Sequence, residues 1–185
     1  MKKLPLAFSG CLLGLAGAGN LILDIFPLLS NVFSLSGLIL WFYFLYSHLS
    51  DWQESQQELK KAPLLSGMAT FPMAGMILST YLLRILPTSM GIIAQTLWWF
   101  AFLLDVGLII YFTKNYVQTK PRTSATPSWT VLYVGIAVAS LTYPVVGIVE
   151  IAYGAWIFGF TLTLFLYPLI YQDLKSNPLP RALLG

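Results

Sequence analysis

The chain has 185 residues, of which 57% are apolar and only 9% charged, with a mean hydropathy of +0.76. Soluble domains carry about 25% charged residues, so this composition excludes a water-solvated surface and makes lipid the solvent. The net charge of +3 does not mark a nucleic-acid binder, because the ten Lys and Arg residues are scattered at segment ends and form no basic face.

A bilayer core about 30 Å thick takes about 20 apolar residues in a helix. Six stretches qualify: 4–23, 32–49, 63–83, 91–112, 129–149 and 151–171. None alternates polar and apolar residues with period two, so a β-barrel is excluded and the expectation is an all-α integral membrane domain over 1–185.

The first stretch follows Lys2 and Lys3 and contains Ala16-Gly17-Ala18, which resembles a signal peptide. Five further spans and the charge pattern of the joints favour its retention as a helix. Cys11, the single cysteine, excludes an internal disulfide framework and reads as a buried small hydrophobe. Gly10 and Gly14 form a GxxxG with Gly17 on the same face, a pattern that lets helix backbones approach closely.

Between the second and third stretches, Ser50 to Ala62 reads as a short surface helix, with Ser50 and Gln53 fitting a capping box and Pro63 opening the next span. Its Glu54, Glu58 and Lys61 read as a solvated face. The third stretch carries Gly67, Thr70, Pro72 and Gly75, and the fourth holds one deep acid, Asp105. A charged Asp at that depth costs about 2.5–3.5 kcal/mol on insertion scales, which leaves two readings: a functional role, or, favoured because the span is aromatic-rich, a structural hydrogen bond to an inner helix or a protonated state. Pro121 and Pro127 mark a linker before the fifth stretch, which carries Gly135, Thr142, Pro144 and Gly147. Glu150 joins the last two spans with almost no loop.

Basic residues alternate across the joints. Lys2, Lys3, Lys60, Lys61, Lys114, Lys120, Arg122, Lys175 and Arg181 fall on one side, and Arg84 alone on the other. The positive-inside rule then puts both termini in the cytoplasm of a multi-pass plasma-membrane protein.

Aromatics counted span by span run 1, 6, 2, 6, 3 and 7, so the even spans are aromatic-rich and the odd spans rich in Gly and Pro. This predicts three related helical hairpins, about 4–49, 63–112 and 129–171. Odd helices would be inner and kinked, and even helices outer and lipid-facing. The bland alternative is that Gly and Pro are simply common in membrane helices. On the first reading, Gly10, Gly14, Gly17, Thr70, Pro72, Gly75, Gly135, Thr142, Pro144 and Gly147 line or kink a path for a small anion. No Lys, Arg or His lies inside an odd span, so such a path relies on neutral dipoles and favours fast, weakly selective passage.

Enzyme chemistry is not expected. His48 is the only histidine, and there is no HExxH, no paired acids and no phosphate loop, so neither metal nor cofactor is implied.

Several motifs resemble those of the tellurite-resistance/dicarboxylate transporter (TDT) family, which includes the slow-type anion channels. They are Leu4-Pro5 with the glycines to Gly19, Ala62-Pro63-Leu64-Leu65-Ser66-Gly67, Phe71-Pro72-Met73-Ala74-Gly75, Tyr133-Val134-Gly135-Ile136-Ala137 and Leu166-Tyr167-Pro168. The tail Asn177-Pro178-Leu179-Pro180-Arg181 resembles the linker before the family's seventh helix. The resemblance implies ten helices as five hairpins around a pore lined by the odd helices, subunits in homotrimers, and transport of small anions. Those are C4-dicarboxylates such as malate, or inorganic anions and tellurite. Against that pattern the chain ends at Gly185, where a seventh helix is due, and no position matches the family's pore-blocking phenylalanine. The expectation is therefore the N-terminal six of ten helices, incomplete at the C-terminus. The alternative is a six-helix membrane assembly or accessory protein with no transport activity.

Overall fold

A computed structural model describes residues 4–118 and 126–176, all of whose regular structure is helical. Lys2, Lys3, Lys120, Arg122, Arg181, Pro121 and the tail motif 177–181 lie outside the described residues.

Five segments are long and apolar enough to cross a membrane: Pro27–Ser50, Ala62–Ile85, Thr88–Val117, Ser128–Val145 and Val149–Asp173. The first stretch is shorter than the sequence predicts. After Pro5 in extended backbone come a 3-10 turn, Leu6–Phe8, and helix α1, Ser9–Leu21. Ile22 leaves helical geometry, and its carbonyl accepts from Ile25 at 3.1 Å and Phe26 at 2.8 Å, which turns the chain into Pro27.

Helix α2 spans Pro27–Ser50 and opens on proline, whose missing N–H is no loss in a first turn. Helix α3, Trp52–Leu59, is the surface helix. The expected capping box does not form, because Asp51 holds the N-cap without a side-chain bond. Ser55 Oγ instead ties α3 back to α2 by donating to the His48 carbonyl at 3.1 Å.

The third stretch is two helices, α4 (Ala62–Gly67) and α5 (Thr70–Ile85). Pro72 has no N–H for the Met68 carbonyl, which accepts from Phe71 at 2.9 Å instead. The i+3 bonding at that point separates the two. Helix α6, Gly91–Phe112, follows a 3-10 turn at Thr88–Met90 and widens into a π-helical turn at Thr113–Val117.

The fifth stretch is α7 (Ser128–Gly135), α8 (Val138–Thr142) and a 3-10 turn, Tyr143–Val145. Its break follows Gly135, well before Pro144, which ends α8 rather than kinking it. Gly147 closes the turn at φ +75°, a conformation that favours glycine. Helix α9 runs Val149–Ser176 with Pro168 inside it.

Helix α1 packs on α2 and α5, α5 on α6 and α8, α4 on α7, and α7 and α8 on α9. Burial is uneven: 61% of the Ala62–Ile85 window and 44% of the Ser128–Val145 window is buried, against 28%, 28% and 22% for the others. Helix α1 buries only Ser9, Leu12, Ala16 and Gly19.

The even helices do not face lipid alone. Trp41 and Phe44 of α2 and Trp98 and Phe112 of α6 are fully buried, while Phe42, Tyr46, Phe100, Tyr111, Tyr153 and Trp156 are exposed. Lipid tails are as apolar as leucine, so what holds these helices together is close packing and interhelical hydrogen bonds. Gly75 marks one such crossing, where an added Cβ would stand 3.0 Å from Ala101 Cβ and 3.1 Å from the Trp41 ring.

Candidate functional site

The beginnings of the three odd stretches meet through hydroxyl groups. Thr70 Oγ1, beside the α4–α5 break, donates to Ser9 Oγ of α1 at 2.8 Å. It also lies 2.8 Å from the Gly67 carbonyl, one of the groups left at the end of α4. Ser66 Oγ donates to Ser128 Oγ, the first residue of α7, at 2.9 Å. A seam of Ser9, Thr70, Ser66 and Ser128 therefore links α1, α4, α5 and α7.

The glycines divide into two kinds. A Cβ at Gly10, Gly14, Gly17 or Gly67 would meet nothing within 4 Å. The GxxxG of α1 is thus not the close-packing face that its pattern predicts; Gly10 and Gly14 look onto open space. The close approach of α1 to α2 is made by Gly19, where an added Cβ would collide with the Ser34 hydroxyl and whose carbonyl accepts from Ser30 Oγ at 2.5 Å. Gly75 and Gly135 are packed tight, Gly135 against Met73 Sδ and Asp105. Cys11 is exposed rather than buried, because it shares the open side of α1 with Gly10 and Gly14.

Of the remaining candidates, Pro72 is buried, Thr70 half-buried, and Pro144 and Gly147 exposed. Thr142 is buried, accepting from the Trp98 indole at 2.8 Å and donating to the Val138 carbonyl at 3.0 Å. The first of these bonds holds α6 on α8, and the second lies within α8.

Trp41 was no sequence candidate, yet its indole donates to the Phe71 carbonyl at 3.0 Å and its ring stacks on Phe71 with centroids 4.5 Å apart. Both buried tryptophans of α2 and α6 thus anchor an even helix beside a proline of the next odd stretch. A tryptophan in a uniformly apolar run carries no sequence signal for this, since nothing phases the helix. At the opposite end of α5, Arg84 lies 3.3 Å from Asn31 Oδ1 and 5.2 Å over the Tyr81 ring, which makes it a rim group clear of the seam.

Asp105 lies on the buried stripe of α6 with Trp98, Ala101, Ile109 and Phe112. Its exposure is 0%, and neither carboxyl oxygen has a hydrogen-bond partner among the described residues. The pairing to an inner helix that the sequence leaves open is absent there.

Residues 3–184 match the family profile described as SLAC1, voltage-dependent anion channel. No curated protein compared with the chain matches it.

Proposed function

The chain belongs to the SLAC1 voltage-dependent anion channel family, and from that premise we propose that it carries small anions across the membrane along the odd stretches. It is a multi-pass membrane protein, and its family implies lipid and an anion as partners. Three hairpins, 4–49, 63–112 and 129–171, form the repeat, with the odd stretches inward.

The observation that carries this reading is the hydroxyl seam beside open glycines. Ser9, Thr70, Ser66 and Ser128 hold the odd stretches to one another, while Gly10, Gly14, Gly17 and Gly67 leave bare backbone on open space. Peptide dipoles and hydroxyls can replace part of an anion's hydration without a fixed cation, which suits rapid release over tight binding. Gly75, Gly135, Pro72 and Thr142 shape and brace the inner helices rather than line the path. Pro144 and Gly147 turn the chain at its far end.

The substrate class is small anions, C4-dicarboxylates such as malate or inorganic anions including tellurite. The working unit is a homotrimer in the plasma membrane, with both termini cytoplasmic. The protein reconstituted into liposomes should release entrapped chloride, nitrate or malate faster than protein-free vesicles, with weak discrimination. Vesicles that release none of these faster would refute the reading.

A further inference from the structure

The fully buried acid on α6 takes no part in the hydroxyl seam. Asp105 abuts the end of α7: a Cβ on Gly135 would stand 3.7 Å from its Oδ1, with Met73 Sδ of α5 at 3.0 Å from the same point. The carboxyl therefore faces bare backbone one residue before the Ile136–Ala137 break. Around that break the bonding is i+3, Ala137 N–H to the Val134 carbonyl at 2.9 Å and Ala139 N–H to the Ile136 carbonyl at 3.0 Å.

Among the described residues, no cation faces it from the packed elements. Helix α4 has no titratable residue. Helix α5 has only Tyr81 and Arg84, the latter 3.3 Å from Asn31 at the far end. From α7 comes Tyr133, whose hydroxyl lies 2.6 Å from Thr113 Oγ1; from the turn after α8, Tyr143. The 3-10 turn before α6 has none, and α6 with its π-turn adds Tyr111, Lys114 and Tyr116, a turn or more beyond Asp105. A bare carboxylate with no partner in such a place is heavily penalised, whereas a neutral acid is tolerated.

We infer that Asp105 is a proton-binding site of the membrane interior, loaded while α6 is closed on α7 at Gly135 and emptied when α7 swings away at its break. On emptying, the O–H bond of the carboxyl breaks, the electron pair stays on the oxygen, and the proton passes to water on the side then in contact. Reloading takes a proton from water and restores the neutral acid. Anion passage that needs this movement therefore carries a proton with it. That coupling rests on the anion-transport reading; the proton site itself does not.

Infrared spectroscopy of the protein in phosphatidylethanolamine/phosphatidylglycerol vesicles at pH 7 tests the site. The wild type should show the carbonyl stretch of a protonated carboxyl that is lost in Asp105→Asn and retained, shifted, in Asp105→Glu. A wild-type spectrum without a band that Asp105→Asn removes would overturn the proposal. In the same vesicles, loaded with a pH-sensitive dye and driven by a chloride gradient, the wild type should take up protons with the anion. Asp105→Asn should keep anion flux and lose proton uptake. Wild-type anion flux without proton movement would overturn the coupling. The infrared band without any anion flux would uphold the proton site and sink the transport reading instead.

Discussion

The Trp98 indole N–H points at the Thr142 hydroxyl across 2.8 Å, two residues before Pro144, and so ties the long helix α6 to the short helix α8. Both groups are buried, so the bond has no competing water.

Replacing Trp98 by Phe keeps most of the ring and removes the donor. The expected loss is about 1 kcal/mol, the net worth of a buried hydrogen bond. Trp98→Ala adds a cavity and should cost about 3–5 kcal/mol. Thermal unfolding in detergent reads both, and equal melting for Trp98→Phe and the wild type would remove the bond from the account.

Gly75 and Gly107 form a matched pair for packing. Gly75→Val forces two methyl groups and a Cβ into Ala101 and Trp41, an overpacking worth about 1–3 kcal/mol. Gly107 is exposed with nothing within 4 Å of an added Cβ, and Gly107→Val should stay within about 0.5 kcal/mol. Similar melting of the two variants would contradict the crossing at Gly75.

The hydroxyl seam makes a coupling prediction. In a double-mutant cycle, Ser9→Ala and Thr70→Val should be non-additive by about 0.6 kcal/mol, the average for interhelical polar pairs in membranes. Strict additivity would mean that the 2.8 Å contact contributes nothing.

Pro72→Ala restores the N–H that the Met68 carbonyl lacks. The break between α4 and α5 should close, so that amides of residues 68–73 exchange more slowly with deuterium. Unchanged exchange would assign the break to packing around Phe71 and Thr70 rather than to the proline.

How much of this was legible beforehand depended on whether residues broke the apolar monotony. Pro63 opens its helix as its missing N–H and fixed φ dictate, and Gly and Pro located two interrupted stretches, whereas Pro27 opens α2 five residues before the stretch predicted at 32–49. Direction was far less legible. Helices α2 and α6 are apolar nearly all round, and a helix with no polar face has no phase to read. For that reason the inward turn of Trp41 and Trp98 was invisible, and their spans looked wholly lipid-facing. Gly10 and Gly14 misled for a related cause, since GxxxG spacing fixes a shared face but not whether a neighbour occupies it. The first stretch looked long enough because Leu21, Ile22 and Leu23 are all apolar, while the turn at Ile22 rests on backbone geometry.

On the proposed function, the open glycine face of α1 belongs to the anion path. Chloride efflux from liposomes holding the wild type, Gly14→Leu or Gly107→Leu measures it most directly, because both glycines are exposed and open but only Gly14 is on an odd stretch. Efflux is expected from the wild type and Gly107→Leu, with a fall of about tenfold or more for Gly14→Leu as its side chain narrows the path. Equal efflux from Gly14→Leu and Gly107→Leu would contradict it.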